Sequence, residues 1–359
     1  MNPVVIAIDA MGGDFGLSVT TPAVVAFLNK KSNAAFAITM VGDQAQVEQA
    51  IQAAQGQSLL DSGKLTIQHA SEVVGMDEPP AKALKRKKDS SMRVAINLVK
   101  EGQAHAAVSA GNTGALMATA RFVLKTIAGV DRPAICTTMP CIDPTKSVLM
   151  LDLGANVDSP PELLKQFAVM GMVLARATRR IESPSIALLN VGAEEMKGSE
   201  KIKGAAQLLA ATKLNYVGFI EGDELYSGKV DVIVTDGFEG NVALKASEGT
   251  AKMVMTVLKE EFTRSWLNKI NALMAKSVFK RMQSRLDPRS HNGATLMGLN
   301  GIVIKSHGGT DSVGFEYAIV EAATQAKRNI IGQLAEGVAL FESQANMPAD
   351  VTPATQTEN

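Results

Sequence analysis

The chain has 359 residues, 46% of them apolar, and carries 36 basic side chains against 36 acidic ones. This is globular composition with ample apolar material for a core, and the balanced charge excludes a global attraction to nucleic acid. Two cysteines, Cys136 and Cys141, flank Met139-Pro140 at an expected strand end. They are too few for a disulfide framework and lack the second pair of a zinc site, which points to a reducing, cytoplasmic setting. Val4–Ile8 is too short and too near the first residue for a signal peptide, and no apolar run is long enough to span a bilayer. The expectation is a soluble protein that can still lie on a membrane.

Taken in chain order, β-branched runs predict strands at Val4–Ile8, Phe36–Val41, Lys64–His69, Ala106–Ser109, Ser147–Leu153, Ser185–Asn190, Tyr216–Ile220, Asp231–Thr235 and Gly301–Lys305. The patterns between them predict helices at Thr20–Lys30, Ser91–Lys100, Thr113–Thr126, Pro161–Arg180, Lys201–Thr212, Val242–Phe262 and Phe315–Leu334. Such alternation predicts βαβ units in a three-layer α/β/α architecture, with a doubly wound, mainly parallel sheet. Residues 1–340 are read as a single α/β domain, since no boundary for a second lobe is legible. Two segments break the alternation: a basic run, Ala81–Ser91, and a basic amphipathic helical extension over residues 262–287. From Ser343 the chain is polar, with two prolines and no apolar period, and a disordered tail is expected over 343–359.

The chemistry is expected where predicted strands end in glycine beside a small polar or acidic residue. Five such loops occur: Asp9–Asp14, Ser109–Gly114, Asp152–Asn156, Asp236–Asn241 and Lys305–Asp311. Glycine lets backbone N–H groups approach a ligand, and a following helix adds its positive end. Gly111–Gly114 before the helix at Thr113, and Gly240-Asn241 before a helix carrying Lys245, suit phosphate best. All five loops are expected on one edge of the sheet. Gly-x-x-x-x-Gly-Lys-Ser/Thr, Gly-x-Gly-x-x-Gly after strand one, Gly-x-Ser-x-Gly and His-Glu-x-x-His are all missing, which weighs against a dinucleotide enzyme and leaves a serine- or zinc-hydrolase reading without support. His69 and His105 lie beside apolar strand patterns and read as structural, whereas His291 and His307 remain open between site and loop roles.

Ile8–Asp14, Ser109–Leu116, Leu151–Asn156, Asp236–Lys245 and Gly301–Asp311, in this order, resemble the phosphate acyltransferase family of bacterial phospholipid synthesis. The resemblance runs from about Pro3 to the last long helix. It implies a fold similar to phosphotransacetylases and isopropylmalate-type dehydrogenases, a homodimer, and transfer of a long-chain acyl group from acyl carrier protein to inorganic phosphate. The acyl phosphate would then feed a membrane acyltransferase acting on glycerol 3-phosphate. No cofactor and no metal is implied. Phosphate is already an anionic nucleophile and a thiolate an adequate leaving group, so such a site needs orientation and neutralisation more than a strong base. The expected phosphate cradle is Gly12, Gly13, Asn112, Thr113, Gly114, Gly240, Asn241 and Lys245. Asp9, Asp152, Asn156, Asp236 and His307 are candidates to orient phosphate or handle a proton, although each Asp can instead fix a loop or a lysine. Two other readings stand beside this one: an NAD-dependent dehydrogenase on a similar fold, and a catalytically silent membrane scaffold.

Two surface features remain. Phe262, Trp266, Ile270, Leu273, Met274, Phe279, Met282 and Leu286 form a helical stripe, interleaved with Arg264, Lys269, Lys276, Lys280, Arg281 and Arg285. A basic amphipathic segment suits an anionic membrane surface or the acidic carrier protein, and it also suits a core or dimer helix. The run Lys82, Lys85, Arg86, Lys87, Lys88 and Arg93 reads either as a solvated face or as a contact for the carrier protein or its pantetheine phosphate.

Overall fold

The computed structural model describes residues 3–345. Its strands are β1 (Val4–Asp9), β2 (Phe36–Gly42), β3 (Leu65–His69), β4 (Ala106–Ser109), β5 (Ala134–Pro140), β6 (Ser147–Leu151), β7 (Ile186–Leu189), β8 (Tyr216–Ile220), β9 (Val232–Val234), β10 (Ala294–Met297) and β11 (Ile302–Lys305). Its helices are α1 (Leu17–Asn29), α2 (Gln44–Ala53), α3 (Gln57–Asp61), α4 (Pro80–Arg86), α5 (Ser91–Lys100), α6 (Thr113–Leu124), α7 (Pro161–Arg179), α8 (Glu200–Ala210), α9 (Gly237–Thr263), α10 (Trp266–Met274), α11 (Lys276–Leu286), α12 (Ser312–Lys327) and α13 (Ile330–Ala345). The strands form one sheet in the order β3-β2-β1-β4-β11-β10-β5-β6-β9-β7-β8. Most neighbours are parallel, as the alternation predicts; the contacts β11–β10, β10–β5 and β5–β6 are antiparallel.

Side chains alternate between the two faces of each strand. Ile6 and Ile8 pack with Phe27 of α1 and Phe315 of α12, while Ala7 joins Ile96 of α5 and Leu116 of α6 on the other face. In the far half, Leu149, Leu151 and Val232 pack on Phe167 of α7. Met150 and Ile233 turn to the face of Ala7, Ile96 and Leu116, where Ala243 and Leu244 of α9 lean on the core. Helices α5, α6 and α9 therefore share one face. Their first turns are capped by side chains: Ser90 accepts from the Arg93 amide, Asn112 from that of Ala115, and Asp236 from that of Phe238.

The three antiparallel contacts reverse the direction of the second half-sheet. Ile8, Val108, Ile304, Thr295, Cys136, Leu151 and Val234 lie in one row across the sheet. Asp9, Ser109 and Lys305 lie one residue beyond that row in one direction, and Asp152 and Thr235 one residue beyond it in the other. The expectation that all five glycine loops share one edge is therefore wrong. The carboxyl ends of the two halves instead meet near the middle of the sheet, about 7 Å apart along the strands and about 14 Å across them. By the period of two, Asp9, Ser109, Lys305 and Asp152 fall on the face that α5, α6 and α9 cover.

Other departures have local causes. Strands β5 and β10 escaped the sequence reading because Ala-Ile-Cys-Thr-Thr-Met-Pro and Ala-Thr-Leu-Met are poor in β-branched apolar residues. Cys136 consequently lies within β5 and only Cys141 follows its end. Helix α9 starts at Gly237, so Gly240 and Asn241 belong to its first turns and not to a preceding loop. The expected helix Phe315–Leu334 is split at Arg328-Asn329, where Asn329 is left-handed at φ 49°. The basic extension is two short helices, broken at Arg264-Ser265 and at Ala275. Ser343–Ala345 continue α13, against the expected tail, and residues 346–359 lie outside the described range. The side chains of Lys280 and Leu286 also lie outside the description.

Helix α9 lies hard against β6. A Cβ on Gly240 would sit 1.9 Å from the Asp152 carbonyl oxygen, while one on Gly249 of the same helix meets open space. Gly240→Ala should therefore lower the melting temperature. Gly249→Ala should hold or raise it, by about 0.5–1 kcal/mol from reduced unfolded-state freedom. Equal effects of the two substitutions in thermal unfolding would contradict this packing.

Candidate active site

The loops after β1, β4 and β11 interlock. Asp9 is buried, and the Ser91 and Ser109 hydroxyls each donate to its carboxylate at 2.6 Å. Burial pushes its pKa up, against the lowering effect of these hydrogen bonds. The Gly111 amide donates to Ser109 Oγ at 3.0 Å. A Cβ on Gly12 would stand 2.5 Å from Asp9 Oδ2 and 2.9 Å from the Gly111 nitrogen, so the approach admits only glycine. Gly13, at φ 91°, lies against Ala110 and the Gly308 carbonyl, which also accepts the Asp14 amide at 3.0 Å.

Lys305, the last residue of β11 and without a role assigned from sequence, stands at the centre of these turns. It is 9% exposed. Its Nζ donates to the Ala110 carbonyl at 3.2 Å and to the Ser306 carbonyl. Among the described residues, no carboxylate lies within ion-pair distance of it. Burial brings its pKa down to about 8; Asp9 and Asp14 pull it back up, and the charge of Lys245 pushes the same way as burial. Lys245 of α9 is thus close enough for Lys305 to feel its charge, which links the two halves. The sequence signal was a lysine closing an otherwise apolar strand, Ile302–Ile304.

The remaining candidates divide by what already occupies them. Asn112 caps α6, and its amide donates to the carbonyls of Met76 at 2.7 Å and Glu78 at 3.1 Å, so it holds a loop. Thr113 and Gly114 are exposed in the first turn of α6, where helix amides point outward. His307 is exposed; its Nδ1 accepts from the Gly309 amide at 3.1 Å, which assigns the ring proton to Nε2. Asp152 is fully buried and accepts from the amides of Ile135, Ala155 and Asn156 and from Asn156 Nδ2, at 2.7–3.0 Å. Burial nonetheless raises its pKa. Asn156 also donates to the Pro133 carbonyl at 2.8 Å. Burial works against ionisation of Asp236 too, yet bonds from the Ser159 and Phe238 amides outweigh it and hold its pKa below the ordinary value. Asp152, Asn156 and Asp236 are therefore saturated by loop contacts. Asn241 is exposed beside Gly154, and Lys245 is exposed and paired with Glu248 at 2.7 Å, an exchangeable surface contact.

Of the other histidines, His69 and His105 each accept a backbone amide, from Gln44 and Val5, as expected of structural residues. His291 lines a cavity of about 160 Å³ between β5, β10 and α12, where the neighbouring Asn292 accepts the His307 amide at 2.9 Å, and burial lowers its pKa. Among the described residues, no group of three His, Cys, Asp or Glu is placed to hold a metal ion. The site thus offers a buried ammonium, outward helix amides, an exposed imidazole and a second lysine; Asp9 and Asp152 are occupied by hydrogen bonds, while Asp14 stays exposed beside Gly308 and Gly309. Such an arrangement is chemically suited to an anion.

The model of the fatty acid synthesis protein family matches residues 4–333. A phosphate acyltransferase of Legionella pneumophila is 52% identical over 345 residues, 96% of this chain and 99% of that protein. One from Alcanivorax borkumensis is 54% identical over 331 residues, 92% and 96% of the two chains. In fold, the chain is similar to a phosphotransacetylase from Streptococcus pyogenes (TM-score 0.58, 16% identity, 90% of this chain and 94% of that one). A branched-chain phosphotransacylase from Enterococcus faecalis is comparable (TM-score 0.56, 13% identity, 90% and 99%). The relatives' shared name supports neither the dehydrogenase nor the scaffold reading. With half its residues shared over nearly the full length of such relatives, this chain belongs to the fatty acid synthesis protein family.

Proposed function

We propose that this chain is an acyltransferase that moves a long-chain fatty acyl group from acyl carrier protein to inorganic phosphate. The observation that carries the reading is Lys305, a buried ammonium bonded only to carbonyls among glycine loops. Taking such a cation out of water costs on the order of several kcal/mol unless an anion compensates, and phosphate is that anion. A phosphate oxygen attacks the thioester carbonyl, the C–O bond forms, the C–S bond breaks, and the carrier thiolate leaves and takes up a proton. Lys305, the Thr113 and Gly114 amides, Asn241 and Lys245 orient and neutralise phosphate; His307 Nε2 stands ready as a donor. Asp9, Asp152, Asn156 and Asp236 fix the loops.

Phosphate-dependent release of free carrier thiol tests the activity, and its absence in the wild type would end the reading. Lys305→Met should cost on the order of 1.5–3 kcal/mol, seen mainly as a raised phosphate KM. Since Lys305 loses its proton as pH rises through about 8, kcat/KM for phosphate should be full below that pH and fall above it. Lys305→Met should lack this limb, and Lys305→Arg should keep activity at high pH. Identical pH profiles in wild type and Lys305→Met would sink the assignment.

Direct attack requires no acyl-cysteine. Cys136 is buried within β5, and burial pushes both the Cys136 and Cys141 thiols up, away from thiolate. Cys136→Ala and Cys141→Ala, singly and together, should keep turnover. A burst of carrier release without phosphate, lost in either variant, would establish a covalent route instead.

The acyl phosphate suits a membrane glycerol-3-phosphate acyltransferase downstream, and the same reading gives a homodimer that lies peripherally on an anionic membrane. Supporting the membrane part, Trp266, Leu273 and Met274 are 70–80% exposed beside exposed Lys269 and Lys276. The Phe262 and Phe279 rings meet edge to face at 4.4 Å and fold α11 back on α9. Supporting the dimer, α9 leaves Val242, Met253, Val254 and Val257 exposed. Binding to anionic vesicles should weaken with salt and shift Trp266 emission to the blue, each basic residue contributing about 1 kcal/mol. Trp266→Ser with Leu273→Ser should release the protein from vesicles and preserve soluble turnover; loss of the folded dimer in that variant would assign the stripe to packing.

A further inference from the structure

The sequence leaves the basic run at Lys82–Arg93 as an isolated charge patch, but the fold enlarges it. Helices α4, α5 and α6 contain no acidic residue. Helix α4 rests on α6, where a Cβ on Gly114 would meet Pro80 Cγ at 2.8 Å, and Arg93 of α5 donates to the Leu84 carbonyl of α4 at 3.4 Å. Distant in sequence, Arg121 and Lys125 thereby join exposed Lys82, Lys85, Arg86 and Lys88 on one surface. At its centre Phe122 is 52% exposed, with the Arg93 guanidinium 5.1 Å and the Lys125 ammonium 4.8 Å from the ring centroid. Two cations held against an aromatic ring keep it upright and unburied.

Neighbouring acids offset this surface only at its margin. Asp89, bonded by the amide and hydroxyl of Ser71, keeps its charge, and the mostly covered Glu78 pairs with Lys82 at 4.0 Å; among the described residues Lys85, Arg86, Lys88, Arg121 and Lys125 have no ion-pair partner. Since the whole chain carries equal numbers of basic and acidic residues, the charge here is local. We propose that the α4–α5–α6 face is the docking surface for the acidic carrier protein, with Phe122 as the apolar anchor inside a basic rim. The proposal rests on the acyl-transfer reading and specifies where the thioester donor sits. An acidic protein is steered by such a rim and held by one well-placed aromatic.

Location fits this partner over a bilayer. The surface is a compact basic face around one aromatic, whereas α10 and α11 present a broad apolar stripe better matched to lipid. It also adjoins the site: the first turn of α6 carries Thr113 and Gly114, and Asn112 ties that turn to the loop at Met76. Met76, 40% exposed, reaches to 2.6 Å from the Cβ position of Gly308, beside Lys305. A carrier seated on this face therefore delivers its acyl-bearing arm along the Met76 loop to the anion site.

Fluorescence anisotropy of labelled acyl carrier protein, titrated with the full-length chain, tests the surface directly. Arg121→Glu with Lys125→Glu, and separately Lys85→Glu with Arg86→Glu, should each raise Kd by about tenfold or more and flatten its salt dependence. Phe122→Ser should weaken binding at high salt as well. Turnover of the same acyl group on free pantetheine should stay at the wild-type rate in all three variants, while KM for the carrier-borne thioester rises. Unchanged carrier affinity in variants with wild-type melting temperatures would overturn the proposal, as would an equal loss in Lys269→Glu with Lys276→Glu. If the carrier binds, and the variants lose it, yet no thioester is consumed, the docking face stands and the acyl-transfer reading falls.

Discussion

Three antiparallel contacts at the centre of an otherwise parallel sheet set the geometry on which the site depends. Two strands, β10 and β5, inserted between the half-sheets give an odd number of reversals, so β6, β9, β7 and β8 run opposite to β1, β2, β3, β4 and β11. In a sheet of one direction, every βα loop would lie along one edge. Here the carboxyl ends of the two halves overlap by a single row, and the helices that follow β4 and β9 cover the same face. Helix α9 runs back over that face, which brings Lys245 within electrostatic reach of Lys305. Glycine at position 240 permits this by removing the Cβ atom that would hold α9 away from β6.

The buried charges are treated unequally, and the inequality is chemically informative. Asp9 and Asp152 each find several donors, from hydroxyls or backbone amides, and they need nothing further from a ligand. Lys305 has two carbonyls and no contacting carboxylate. A buried ammonium so placed is tolerated in part by deprotonation, which is why its pKa falls, and in part by any anion that enters. Asp9 and Asp152, with their lone pairs already engaged, repel such an anion less than free carboxylates would, whereas exposed Asp14 offsets part of the ammonium's charge. Anion affinity thus arises from the accounting of hydrogen bonds across three loops and is a property of no single motif.

The surface follows the same logic at longer range. Equal totals of acid and base hide two segregated basic regions, one around Phe122 and one along α10 and α11. The first is compact and centred on a ring clasped by two cations; the second carries a wide exposed apolar stripe. Different partners are matched by these shapes because charge alone attracts any anionic surface, whereas the size of the apolar area decides between a protein pocket and a bilayer.

The sequence by itself determined the α/β alternation, most strands and helices to within a few residues, the family resemblance, and the glycine loops, because these follow from local period and turn chemistry. It also separated His69 and His105 from the chemistry. It did not reveal β5 and β10, whose composition is poor in β-branched apolar residues, and so it put all the loops on one edge. It could not say which groups among Asp152, Asn156 and Asp236 the loops already engage, since nothing in a linear chain tells a hydrogen-bonded side chain from a free one. Tertiary structure alone decided that Lys305 is buried with no carboxylate among the described residues in ion-pair contact, and that Arg121, Phe122 and Lys125 complete the patch begun at Lys82. Both outcomes depend on contacts between residues far apart in the chain, where burial and hydrogen-bond partners are set by packing and leave no periodic trace in sequence.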